Sequence, residues 1–450
     1  MIGLAVSLVA AAGCRYQVTS AASELSVEAR IAAFPDRDGE LSVEDGAEPF
    51  VREVVILTAD GAVPVERRGD SWFAPDCAAR GCRIRYRFAL REAAAAREDE
   101  DLAVLYGEIV ESPPGAWLLR PLRVPDGATA ELIVSPAEGT RFVAGLPTGP
   151  LSASALGGLP YAAFGDLRVE RMPLEGGSLN VALAKARRRQ SDEELLGWIR
   201  SSAALVARYF GRLPADGALL LVLPASGHQI HGRCRGTGAA SILFFLGTEV
   251  DLPEARRSWE LVHELVHLGF PSLSRRYLWA EEGLATYVEP IARARVGELS
   301  PEKVWRDLVR GLPQGLPQRG DEGLDKTHTW GRTYWGGALF WLLADVEIRE
   351  QTGNRFGLEH ALGAVVGQGG SIAARWPLQR ALEAGDRAVG TKVLEDLHAK
   401  MGSAPVDVDL DALFRRLGVA LRGEAVEFDD RAPLAPIRRA ITERRYDRAR

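Results

Sequence analysis

The residues best able to do chemistry stand close together, at His263-Glu264-Leu265-Val266-His267. On a helix, His263 and His267 are four residues apart and return to one face, where two imidazoles can hold one metal ion. Glu264, about 100° further round, is then turned toward a water on that ion and can take its proton. Zinc wants a third protein ligand and one position left open for water. Glu282, in WAEEGLATY after fourteen intervening residues, is the best-placed carboxylate, with Glu281 and Glu289 as rivals. In a chain of 450 residues with only seven His, the pentapeptide should arise by chance on the order of 0.01 times, so it counts as a signal.

These side chains need two helices to bring them together. Asp251 and Glu254 read as a capping box that starts the first, and Gly269 and Pro271 stop it just after His267. PSLSRRY makes a polar connection, and a second helix from about Trp279 carries Glu282 until Pro290 ends it. Two antiparallel helices joined by so short a loop return Glu282 to the histidines. Thr286, one turn further on, is placed to hydrogen-bond a ligand histidine from behind.

The stretch WELVHELVHLGFPSLSRRYLWAEEGLATYVEP resembles the gluzincin zinc metallopeptidases, in which His-Glu-x-x-His is followed by a Glu ligand in a W-x-x-E-G-[FL]-[AT] helix. It is most similar to the aminopeptidase N and glycyl aminopeptidase branches, although the interval between the motifs is shorter than is usual in aminopeptidase N. The resemblance puts the third ligand immediately before Gly283, which favours Glu282. It implies one Zn2+ per chain, Glu264 as general base and a peptide or protein substrate. Tyr334, in T-Y-W-G-G-A, occupies the place of the Tyr in the Y-x-x-G-A segment of these peptidases, where it donates a hydrogen bond to the oxyanion of the tetrahedral intermediate. His328 and Arg332 precede it, near the expected cleft. The strand ahead of the metal helix in gluzincins is an edge strand that pairs with substrate backbone, and Ser241 to Leu246 falls in that place. Aminopeptidase N relatives also carry Gly-x-Met-Glu-Asn upstream, whose Glu anchors the free amine. GTGAAS has no Glu, so the choice between exo- and endopeptidase stays open.

Around this core the chain reads in order. MIGLAVSLVAAAGC is apolar and too short to span a bilayer, as in a secretion signal. AAAGCR resembles a bacterial lipobox, which would make Cys14 a lipidated N-terminus and place the protein in the cell envelope, periplasmic and lipid-anchored. In such an oxidising compartment Cys77 and Cys82 are expected to close a disulfide, leaving Cys234 free. His228, His231 and Cys234 have the spacing H-x-x-H-x-x-C, which could hold a second metal but reads better as loop residues near the cleft mouth.

Segments 51 to 58, RIRYRFAL, 130 to 136, DLRVERM and 179 to 184 alternate or run apolar between Gly, Pro and Asp, as strands do, with a short helix in REAAAARED. Ser191 and Glu194 cap a helix that Gly211 stops, and ALLLVLP suits a strand buried on both faces. Ser300 and Pro301 start another helix. The loop GLPQGLPQRGDEGLDKTHT is long enough to rim the cleft, and the helix after it buries Trp335, Ala338, Leu339, Leu342 and Val346.

The fold class is therefore α+β, with four segments: a signal or lipoprotein segment over 1–15, an N-terminal β-sandwich-like domain over 16–188, a thermolysin-like, mainly helical zinc peptidase domain with a small mixed sheet over 189–355, and a C-terminal helical region of that unit over 356–450. With 46% hydrophobic and 26% charged residues the chain is neither disordered nor fibrous, and a net charge of -6 gives no electrostatic footprint for nucleic acid. Three functions fit: a zinc metallopeptidase, a zinc hydrolase of a non-peptide substrate, and a non-catalytic envelope-anchored binding protein. Retention of Glu264 speaks against the last, because binding alone does not need a general base.

Overall fold

The computed structural model describes residues 13–21, 23–34, 38–96, 99–146 and 151–444. The apolar N-terminal stretch up to residue 12, read above as a secretion signal, lies outside them. No helix among the described residues is long and apolar enough to cross a membrane.

The N-terminal half is built as its alternation predicts. Ile84, Tyr86 and Phe88 of strand Cys82–Phe88 are buried, and Arg83 faces out to pair with Glu28 on the neighbouring strand. That strand lies within a seven-stranded sheet, between Leu25–Ile31 and Val51–Thr58. Two four-stranded sheets share its core, in which Tyr16, Val27, Trp72 and Trp117 are each at most 3% exposed. Burying tyrosines requires partners for their hydroxyls, and Tyr16 donates to the Leu119 carbonyl and Tyr86 to that of Trp117. The Cys77–Cys82 disulfide forms, tying the short helix Pro75–Arg80 to the strand that follows. Cys14 opens strand Cys14–Ser20, with its side chain in the core. REAAAARED supplies helix Leu90–Ala96.

The second sheet begins before residue 189. Strands β1 (Leu167–Leu174) and β2 (Gly177–Ala184), expected from the sequence in the N-terminal domain, form a hairpin that joins β3 (Ala218–Ala225), β4 (Ile230–Gly236) and β5 (Ala240–Gly247) in the order β1-β2-β3-β5-β4. β2, β3 and β5 are mutually parallel, and β1 and β4 are antiparallel edges. Helix α1 (Asp192–Phe210) crosses from β2 to β3. Its capping box is complete, Ser191 and Glu194 each accepting from the other's backbone N–H, and Gly211 ends it at φ 79°.

The edge strand is not the one expected. β5, over the segment read as the edge, is buried between β3 and β4. The edge is β4, IHGRCRG, which reads as loop because Gly and Arg are poor strand formers. Seven paired residues against β5 hold it extended.

The two metal-site helices also depart in detail. Asp251 caps only a short helix, Leu252–Arg257, by accepting from the Glu254 N–H; the chain then breaks at Ser258 and starts again as α2 (Glu260–His267). α3 (Leu278–Arg295) runs straight through Pro290. A prolyl ring in a helix interior costs a hydrogen bond, and tertiary contacts outweigh that loss. Arg293 pairs with Glu289 and donates to the Ser258 and Arg256 carbonyls, and Arg295 donates to the Ile441 carbonyl.

After α3 comes helix Pro301–Gly311, started by Ser300, and then the long loop. The loop does not rim the cleft. Its Asp325 accepts from the Trp279 indole N–H and contacts His398, pinning the loop to the start of α3. A π-helical turn, Arg332–Gly336, leads into α4 (Gly337–Gln351). Helices Leu358–Gly367, Leu378–Val389, Val393–Met401, Leu410–Leu417 and Ala435–Thr442 complete the chain, with a small unforeseen hairpin at Val419–Arg422 and Ala425–Phe428. Their apolar residues belong to the same core as α1 to α4.

Candidate metal centre

The site is assembled from the last turn of α2, the first turns of α3 and the edge strand β4. His263 is 4% exposed and Glu264 8%. The two imidazole rings stand 4.9 Å apart at 84°. Glu282 meets both, its carboxylate 3.3 Å from His263 Nε2 and 3.6 Å from His267 Nε2. Tetrahedral ligands at roughly 2.1 Å from zinc stand roughly 3.4 Å from one another, so this spacing fits that ion. The three are the only described His, Cys, Asp or Glu side chains that converge as a candidate metal group, their ligand atoms all within 4.8 Å of one another. The rivals for third ligand are occupied elsewhere: Glu281 accepts from the Leu273 backbone N–H, and Glu289 is paired with Arg293. Thr286 is not behind a histidine, since its hydroxyl donates to the Glu282 carbonyl on its own helix.

Electrostatics follow the same arrangement. Burial raises Glu282, but His267, hydrogen bonds from both imidazoles and His263 together hold it well below the usual carboxylate range. Burial lowers His267, yet Glu282, by charge and hydrogen bond, and Glu264 push it up to about 9. His263 stays lowered by burial. Two imidazole nitrogens in their neutral form and one carboxylate converging at this spacing are a donor set suited to a cation. Glu264 is pushed up to about 7, chiefly by burial, with His267 opposing and Glu282 adding.

Tyr334 lies in the π-helical turn on the same cavity of about 480 Å³ as His263, Glu264, His267 and Glu282. π-helical turns insert a residue into the helical register and occur often at functional sites. Burial, the charge of Glu282 with a hydrogen bond to it, and Glu264 push the phenol up to about 12, so it remains a proton donor near neutrality. Arg332 turns away, buried against Asp321, and His328 is exposed and does not line the cavity.

The H-x-x-H-x-x-C spacing makes no second metal site. His228 lies before β4 and contacts Glu254, while His231 lines the metal cavity and stacks 4.4 Å over Phe245 instead of joining the metal group. Cys234, three residues on and so on the opposite face, looks toward Glu264, Glu281 and Glu282. Arg233 and Arg235 point with His231 and pair with Glu100 and Asp101 of the β domain, fixing β4 between the two halves of the molecule.

Sequence reasoning missed Gly232 and Trp259. A Cβ on Gly232 would stand 2.5 Å from Cγ of Glu264. Trp259 lies edge-on to His263 at 4.9 Å. Trp259 could have been found as the residue one turn before His263; for Gly232 no signal existed until β4 was known to be a strand.

The chain folds as a β-rich N-terminal domain followed by a mainly helical one, an architecture similar to that of solved zinc metallopeptidases of the aminopeptidase N family. The chain is similar in structure to an aminopeptidase N family protein from Idiomarina loihiensis, with a TM-score of 0.65 and 13% identity over 91% of this chain and 79% of that one. An M1 zinc metallopeptidase from Deinococcus radiodurans matches at 0.54 and 14% identity, over 88% and 94%. Legionella pneumophila aminopeptidase A, solved with aspartic acid, matches at 0.53 and 15%, over 87% of this chain and 49% of that one. At such identities the likeness is one of fold. No protein-family model and no curated protein sequence matches the chain.

Proposed function

We propose that the protein is a zinc-dependent metallopeptidase that hydrolyses peptide bonds. The observation that carries this reading is the convergence of His263, His267 and Glu282 with Glu264 and Tyr334 on one cavity beside a strand edge that no other strand pairs among the described residues. Zinc held by His263, His267 and Glu282 would supply a Lewis acid and lower the pKa of a water toward neutrality. Glu264, with an affinity for protons near that of the medium, takes the proton of the attacking water and passes it to the leaving amine. Tyr334 donates its phenolic hydrogen to the carbonyl oxygen as charge develops there. The outer edge of β4 aligns an extended substrate by strand addition.

A mutant of the Deinococcus enzyme has been solved with a Tyr-Ser-Ala substrate, which supports a peptide ligand for this architecture. β4 carries no carboxylate, so an amine anchor of the Gly-x-Met-Glu-Asn kind is missing and the exo or endo choice is left to experiment. The Cys77–Cys82 disulfide supports the exported, envelope location. The burial of Cys14 in a strand counts against its lipidation.

The test is metal analysis of the purified protein beside Glu264→Gln, with both incubated against a mixed peptide library. The expected result is near one zinc per chain in both and chelator-sensitive cleavage only in the wild type. Zinc without cleavage would overturn the peptidase reading in favour of a non-peptide hydrolase or a binding protein.

A further inference from the structure

Apart from its hydroxyl, which bonds Glu282, the Tyr334 ring has an aromatic contact with Trp330 at 5.7 Å and 28°. Trp330 is itself 61% exposed, a loose clamp, so the place of the phenol is set by the backbone that carries it. That backbone is the π-helical turn Arg332–Gly336, in which the Gly337 N–H reaches back to the Arg332 carbonyl, five residues away. Relaxation to an α-helix would shift the register by one residue, about 100°, and swing Tyr334 off the cavity. The turn therefore needs a restraint.

Its first residue carries one. The side chains of Arg332 and Asp321 are 3% and 2% exposed, with Nε 2.8 Å from Oδ2. Arg332 Nη2 donates to Asp321 Oδ1 at 3.5 Å, and Nη1 to the Gly315 carbonyl at 2.5 Å. Asp321 is fixed in turn by accepting from the Gly323 N–H. The short turn Leu312–Gly315 meets the π-turn backbone to backbone: a Cβ on Gly315 would stand 2.3 Å from the Gly336 nitrogen. A buried ion pair adds little to stability, because desolvation of both charges offsets their attraction. A planar guanidinium that grips Gly315 and Asp321 at once does something else: it admits one orientation of the residue that bears it.

Resting on the peptidase reading, we propose that Arg332, through Asp321 and the Gly315 carbonyl, is a positioning residue that holds the π-turn in the register placing the Tyr334 hydroxyl on the metal cavity. Arg332 does not line that cavity, so its effect on the reaction passes through Tyr334.

The test combines Arg332→Met with Asp321→Leu, which removes both buried charges at once and leaves neither unpaired. On a fluorogenic peptide that the zinc-loaded wild type cleaves, the pair is expected to lower kcat by about 100-fold, with KM within about two-fold and zinc content unchanged. In a Tyr334→Phe background it should cost less than about three-fold more, because the group it positions is gone. Arg332→Lys, which keeps the charge without the fork, should lose kcat in the same Tyr334-dependent way and carries the test if the pair variant does not fold. An equal loss in both backgrounds, or no loss in the first, overturns the positioning role.

A second readout needs no turnover. In 3-fluorotyrosine-labelled protein the Tyr334 fluorine resonance, assigned by its loss in Tyr334→Phe, is expected to shift or divide in the pair variant, while those of the buried Tyr209 and Tyr287 stay in place. An unmoved Tyr334 resonance overturns the proposal even where catalysis falls. If the zinc-loaded wild type cleaves no peptide, the peptidase reading fails instead, and the resonance still decides whether Arg332 positions Tyr334.

Discussion

The backbone of Gly232 and the side chain of Glu264 occupy adjoining space: a Cβ at position 232 would lie 2.5 Å from Glu264 Cγ and 3.2 Å from its Cδ. The edge strand thus forms the wall against which Glu264, the proposed general base, rests. Phe244, 3.2 Å from the same point, prevents the strand from simply moving back. Gly232→Ala should therefore leave zinc content unchanged, because no ligand is touched, and lower kcat/KM by about 100-fold through displacement of the carboxylate. Metal analysis with steady-state kinetics checks both halves. An active Gly232→Ala enzyme would mean that Glu264 is not held where the reaction needs it.

Gly283, the residue after Glu282, packs against Gly337 at the start of α4. A Cβ on Gly283 would stand 2.3 Å from the Gly337 Cα, and one on Gly337 would stand 2.1 Å from the Trp279 carbonyl oxygen. This bare contact lets α3 and α4 approach backbone to backbone, which brings Glu282 within reach of Tyr334. Gly283→Ala should cost about 1–3 kcal/mol in denaturant unfolding. It should also weaken zinc retention by moving Glu282.

Glu111 is fully buried, and neither carboxyl oxygen makes an acceptable hydrogen bond among the described residues. Burial, then the charge of Glu100, pushes its pKa well up, with Arg235 opposing. The folded chain therefore keeps this proton to a higher pH than the unfolded chain does. The stability it contributes is whole below the usual Glu range, about pH 4, and is lost as pH rises through the folded value. Unfolding free energies of wild type and Glu111→Gln should follow the same slope in acid and separate above about pH 5, the wild type falling faster. Parallel curves to pH 8 would show that Glu111 is already ionised in the fold.

The disulfide closes a short loop, with five residues of sequence separation. Chain-entropy reasoning gives a contribution of about 2 kcal/mol for a loop of that size. The Cys77→Ala, Cys82→Ala double variant should lose about that much stability in urea. Its zinc content should be unaffected, since the bridge lies in the N-terminal core.

What was legible in the sequence, and what was not, follows from the reach of each signal. His263, His267 and Glu282 could be placed because a helix turns spacing into direction, and Ser191 with Glu194 because a capping box is local. Pro290 misled because a proline's local cost is known while the anchoring of Arg293 and Arg295, which overrides it, comes from remote carbonyls. β4 was missed because IHGRCRG has no strand propensity of its own and is held by its pairing with β5. The hairpin β1–β2 was read correctly as strands, but nothing within it says which sheet it will join.

That hairpin bears on how the molecule can move. Strand Ala162–Gly165 belongs to the β domain and β1 begins at Leu167, so Asp166 alone separates the two sheets. The Tyr161 carbonyl is bonded to the Ser241 hydroxyl on β5, just beyond the same junction. With that bond and the Arg233–Glu100 and Arg235–Asp101 pairs, the short seam ties β4 and β5 to the β domain. Scattering profiles with and without a bound inhibitor are therefore expected to superimpose.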